Sequence, residues 1–159
     1  MFSPRRFLIL AAAVIALVAL PAAADAATKA SSSESALLSA INGVRAAHGL
    51  HPLTFDSTLT LAARAHTREM SSNGVFAHGA FTTRMHQFHV RGPFVGENLA
   101  WGSGSYGTPQ GIIRGWLASP LHRANLLRPG FSRIGLGELR TVFQGARGAT
   151  VVTADFAGR

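Results

Sequence analysis

None of the 159 residues is a cysteine. No disulfide can staple the fold and no thiolate can act as nucleophile or metal ligand, so packing alone must hold the chain together. Any metal chemistry falls to histidine and the carboxylates. Hydrophobic residues make up 47% and charged residues 14%, which excludes a disordered chain, and the length suits one domain rather than two.

Part of the apolar content is local. Arg5 and Arg6 precede an uninterrupted apolar run from Phe7 to Leu20, shorter than the roughly 20 residues a spanning helix needs. Pro21 to Ala26 then supplies the small residues of a signal-peptidase site. Residues 1–26 therefore read as a secretory signal peptide, and only an uncleaved leader would bring the chain to a membrane. Cleavage lowers the net charge of +8 by one. The remaining excess favours anionic partners such as wall polymers or acidic lipid head groups. Without a basic run or interleaved aromatics, it does not favour nucleic acid.

Residues 27–33 form a polar tether, and a domain follows over 34–159. Ser31 and Glu34 have capping-box spacing, and Leu37, Ile41 and Val44 trace one face of a helix that ends near Gly49. Residues 50–55 make at best an edge strand around Pro52. Asp56 caps a second helix with Leu59, Ala62, Ala63, His66 and Met70 on one face, stopped by Asn73-Gly74. Residues 75–107 are irregular except for a helical turn over 82–88 and a strand over 95–101. Thr108-Pro109 opens a helix with Ile112, Ile113 and Trp116 buried, and Ser119-Pro120 restarts a short one through Leu127. Residues 133–142 and 149–157 alternate as a closing hairpin. The pattern predicts an α+β fold, with helices outside a small antiparallel sheet.

His66, on an apolar helix face, reads as a hydrogen-bonded core residue, and His48 and His51 as solvated turn residues. His86 and His89 are spaced to share a helix face but bring no carboxylate. Residues 102–107 match G-x-G-x-x-G, yet the chain continues into a short helix and a hairpin, so they read as a glycine loop. No G-x-S-x-G elbow supports a serine hydrolase. Three segments say more: Phe76-Ala77-His78, Gly96-Glu97-Asn98-Leu99-Ala100, and Ser119 to Leu127, with His122 in a first helical turn. A carboxylate such as Glu97 in an apolar strand is costly unless a donor or cation meets it. Histidines from the two other segments, or a cation they hold, would meet it.

The set FAH, GENLA and SPLHRANLLRPGFSRIGLG, in that order, resembles the bacterial SCP-like branch of the extracellular CAP superfamily (cysteine-rich secretory, antigen 5 and pathogenesis-related proteins). The likeness spans about residues 34–157. It includes Asn42-x-x-Arg45, Arg84 and the closing TADFAG. It implies a three-layer α-β-α sandwich and a cleft of two His and two Glu able to bind a divalent cation, zinc foremost. His78 and His122 match the metal-binding histidines and Glu97 one glutamate. The second glutamate position is Ser119, and Asn98 is a further cleft candidate. Leu121 replaces the usual Gly of that segment, and the final strand lacks the aromatic-Thr-Gln of many relatives.

Three functions fit these residues. The first is a secreted bacterial binding or interaction domain that takes a metal or small ligand without catalysis. The second is a metal-assisted, protease-like hydrolase with Glu97 as the candidate catalytic residue and Glu138, in phase with Ile134 and Leu136, as a further donor. The third is a binder of lipid, peptide or anionic wall polymer.

Overall fold

A computed structural model describes residues 29–158. The expected signal peptide at 1–26 and the first two tether residues lie outside that range. The described chain runs α1 (Ser32–Ala47), β1 (Thr54–Phe55), α2 (Ser57–Asn73), α3 (Phe81–Gln87), β2 (Val95–Gly102), a 3₁₀ turn (Gly104–Gly107), α4 (Pro109–Ala118), α5 (Pro120–Leu126), β3 (Phe131–Phe143) and β4 (Ala146–Gly158). The strand order is β1-β3-β4-β2.

Local chemistry sets most boundaries. Ser31 and Glu34 form the reciprocal capping box at the start of α1, and Asp56 accepts from the backbone of Thr58 and Leu59 to start α2. Gly74 ends α2 in the left-handed conformation. Thr108 caps α4, with Pro109 in its first turn. The 29–33 part of the expected tether is fastened to the domain instead. Ser31 is a helix cap, and the Lys29 carbonyl accepts from Arg64, whose guanidinium also grips both oxygens of Glu34. The glycine segment 102–107, expected as a plain loop, tightens into the 3₁₀ turn.

The sheet is mixed rather than wholly antiparallel. The two-residue β1 pairs in parallel with β3, while β3 and β2 flank β4 antiparallel. Both hairpin strands run longer than the alternation indicated, because β4 is central and covered on both faces. Val152, Ala154 and Phe156 pack with Leu37 and Ile41 of α1, Ile112, Ile113 and Trp116 of α4, and Leu126 of α5. On the opposite face, Ala157 packs with Leu59 and Ala62 of α2 and Met85 of α3, and Val151 with Met70 and Phe143. The result is the α-β-α sandwich, with β2 as the exposed-edge strand between the helical layers.

Two polar side chains tie the layers. Arg45 is fully buried and donates to the carbonyls of His51, Leu126, Arg128 and Phe131, joining α1 to the segment entering β3. Trp116 is 1% exposed, and its indole N–H donates to the Leu99 carbonyl of β2 at 2.9 Å. Truncating Trp116 to Ala removes a large buried ring and orphans that carbonyl, so it should cost about 3–5 kcal/mol. Urea unfolding checks this, and a loss below about 1 kcal/mol would contradict the packing described.

Candidate functional site

Three consecutive residues of β2 organise the cleft. Gly96 faces α5 so closely that a Cβ there would stand 2.8 Å from the Phe131 ring and 3.0 Å from Asn125 Oδ1. Glu97 points to the α2–α3 layer. Asn98, alternating, points to α5. There its Nδ2 donates to the His122 carbonyl at 2.9 Å, while its Oδ1 accepts from Asn125, which also donates to the Glu97 carbonyl. Asn98 is therefore not a cleft-lining residue as expected. It is fully buried, and it fixes the turn of α5 that carries His122.

Glu97 is the hub on the other face, with a side chain only 2% exposed. His78 Nδ1–H donates to its Oε1 at 2.7 Å, and Arg84 Nη2 of α3 makes a short contact with Oε2. Arg84 also donates to the His78 carbonyl at 3.4 Å. Its guanidinium lies 5.6 Å from the Phe81 ring centroid, completing its seat on α3. His66 is the buried, hydrogen-bonded residue that its helix face implied. Its ring nitrogens meet Glu69 at 3.1 Å and the Ala77 carbonyl at 2.9 Å, pinning the loop that presents His78, and Nε2 lies 4.0 Å from Glu97.

His78 and His122 come from the layers on either side of β2, His78 bonded to Glu97 and His122 carried by the α5 turn that Asn98 holds. The Glu97 bond leaves Nε2 of His78, whose side chain is 57% exposed, facing outward. His122 is half-buried. Its pKa lies below the ordinary 6.5, first because burial disfavours the imidazolium and then because His78 repels it. Beside His122 opens a groove of about 370 Å³, lined by Ser119 and His122 and walled by Phe76, Trp101, Tyr106 and Trp116 among others. Phe76 and Trp101 each set an edge against buried Phe143, at 6.5 and 5.4 Å between centroids, so these walls are anchored. A larger hollow of about 590 Å³ lies along α5 by Arg123 and Arg128 and is lined by neither histidine.

Other candidates fall elsewhere. Glu138 lies near Ser33 and Glu34, where burial raises its pKa, and so cannot complete a ligand set with His78. His48, His51, His86 and His89 are exposed outside the cleft. Among the described residues, no three His, Asp or Glu side chains gather as a metal-binding group. Two residues carry more than the sequence reading assigned them. Arg84 is the cation that meets Glu97, and Asp155, fully buried in β4, is the register partner of Glu97. An acid in the apolar run VVTADF is the same signal that singled out Glu97.

The three-layer sandwich and the order of its elements are those expected of an SCP-like domain, and comparison with known proteins agrees. The model of the cysteine-rich secretory protein family, CAP, matches residues 38–152. The chain belongs to that family. It is 36% identical over 101 residues to the Bacillus subtilis protein YkwD, covering 60% of this chain and 38% of that one. It is 31% identical over 106 residues to the B. subtilis membrane protein YlbC, covering 64% and 30%. The chain thus spans well under half the length of either relative. Among solved structures, an extracellular SCP-domain protein from Bacillus anthracis superposes with TM-score 0.65 at 26% identity, covering 77% of this chain and 39% of that one. An outer surface protein from Borrelia burgdorferi gives 0.66 at 24%, covering 77% and 90%. Among the described residues, no helix is long and apolar enough to cross a membrane.

Removing Arg84 would strand Glu97 in a buried layer. Arg84→Met should cost about 3–5 kcal/mol, as loss of one partner from a buried pair does. Chemical denaturation at neutral pH measures it, and a change within about 0.5 kcal/mol would show that Glu97 is held by other means.

Proposed function

We propose that the domain is an extracellular, noncatalytic binding module whose two imidazoles, His78 and His122, take a divalent cation, with zinc the foremost candidate, and through it a ligand. The leader read at residues 1–26 supports export, and the similar B. anthracis and B. burgdorferi chains are an extracellular and an outer surface protein. The observation that carries the reading is the engagement of Glu97. Its two oxygens accept from His78 and Arg84, so it orients an imidazole and is not free to take a proton from water.

The donor set fits a cation of this kind. A carboxylate on Nδ1–H leaves the Nε2 lone pair of His78 outward, which is how carboxylates orient metal-binding histidines. The lowered pKa of His122 keeps its ring neutral and able to ligate. Two protein ligands fall short of the three usual in zinc enzymes, which favours binding over hydrolysis. A cation held there would offer its remaining positions to an oxygen donor of the ligand. Ser119 lines the same groove as His122, and the aromatic walls suit an apolar portion of that ligand.

Calorimetric titration of the mature protein with zinc tests the reading. His78→Ala and His122→Ala should each lose binding, whereas His86→Ala and His89→Ala should bind as the parent does. Affinity should fall as pH drops below about 6.5, the usual imidazole value, since protons compete for the same lone pairs and the His122 pKa lies lower still. Unchanged affinity in both cleft variants, or loss in the controls, would overturn the proposal.

A further inference from the structure

Asp155 stands directly across from Glu97 in the β2–β4 register, so the two carboxyl groups project side by side toward α2 and α3. It is fully buried. Its neighbours along that face are Thr153, whose hydroxyl is bonded to Thr67, and Ala157, packed against Leu59 and Met85. Its register partner on β3 is Gly135, which brings no side chain. Neither oxygen of Asp155 receives a hydrogen bond from a donor among the described residues. The nearest cation, Arg84 Nη2, lies 4.0 Å away and is already committed to Glu97.

Two adjacent carboxylates in a dry layer beside one guanidinium do not both ionise. The donors decide which one keeps the proton. Glu97 accepts on both oxygens, from His78 and from Arg84, and a proton placed on it would displace one of them. Asp155 lacks any donor, and a proton placed on it creates the one hydrogen bond the pair is missing. We infer that Asp155 is a neutral carboxylic acid at neutral pH, that its O–H donates to Glu97, and that it acts as a positioning residue for the histidine cleft. Glu97 is then a carboxylate fixed by three donors, one from each of β4, α3 and the loop after α2. Burial, and after it the charge of Glu97, raises the pKa of Asp155 well above the ordinary 3.8, against the opposing pull of Arg84. The inference stands whether or not a cation binds at His78.

Retention of the proton has a thermodynamic signature. Above the ordinary aspartate pKa the unfolded chain releases this proton while the folded chain keeps it. Rising pH therefore favours unfolding until Asp155 ionises in the folded state as well. The titratable and charged groups facing Asp155 are Glu97 from β2, Arg84 from α3 and, across Glu97, His66 from α2 and His78. All of them remain in Asp155→Asn, an uncharged donor of similar shape.

Urea unfolding of the parent and of Asp155→Asn from about pH 4.5 to 7.5 tests the assignment. The folding equilibrium constant of the parent, relative to the variant, should fall by up to about tenfold per pH unit. A second measurement needs no variant. Infrared spectra of the parent at neutral pH should contain a protonated-carboxyl C=O stretch that shifts when aspartate is labelled with ¹³C at its carboxyl carbon. Parallel pH profiles for the two proteins would overturn the inference. So would the absence of a label-sensitive protonated band, since Asp155 would then be an ordinary ionised aspartate.

Discussion

The pairing of Arg84 with Glu97 decides what the edge of this sheet can do. A carboxylate buried in an apolar strand demands a cation or donors, and α3 delivers the cation as Arg84, with Phe81 beneath the guanidinium. Once neutralised, Glu97 is free to accept from His78 and so to aim an imidazole outward. The next residue, Asn98, performs the matching task through the sheet by holding the backbone at His122. Strand alternation thus places the two histidines on either side of β2 with a single dipeptide. The preceding Gly96 clears the space that lets α5 approach.

This division of labour fastens the site from several elements at once. His66 is itself buried and fastens the loop before His78, and Asn125 ties α5 to both Glu97 and Asn98. Arg45 and Trp116 lock the surrounding layers through backbone carbonyls. The polar side chains of the interior act as crosslinks in a chain that has no disulfides. A carboxylate saturated with donors suits orientation rather than proton abstraction, and the groove beside His122 is walled by rings that Phe143 keeps in place.

Much of this was legible in the residues. The capping box at Ser31, the Asp56 cap, the Gly74 stop and the buried stripe of α4 follow from local rules, and the structure has each of them. Glu97 announced itself by its cost in an apolar strand. Asn98 misled because polarity alone does not tell a lining residue from a buried crosslink; only the alternation along β2, with Asn125 opposite, separates them. Glu138 misled for a related reason. Phase along β3 fixes the face but not the end of the strand, and this end meets α1 rather than the cleft. Asp155 could have been found by the test applied to Glu97. The parallel pairing of β1 could not, since two residues carry no directional signal.

The central claim is that Glu97 holds His78 in one tautomer, with the proton on Nδ1 and the lone pair of Nε2 presented to the cleft. Nitrogen-15 NMR of the histidine rings above the imidazole pKa, about 6.5 in ordinary peptides, measures this directly. The account predicts a His78 spectrum of the Nδ1–H form, with its proton correlated to that nitrogen and shielded from rapid exchange. A His78 ring in the Nε2–H form, or averaging between the two tautomers as free imidazole does, would contradict it.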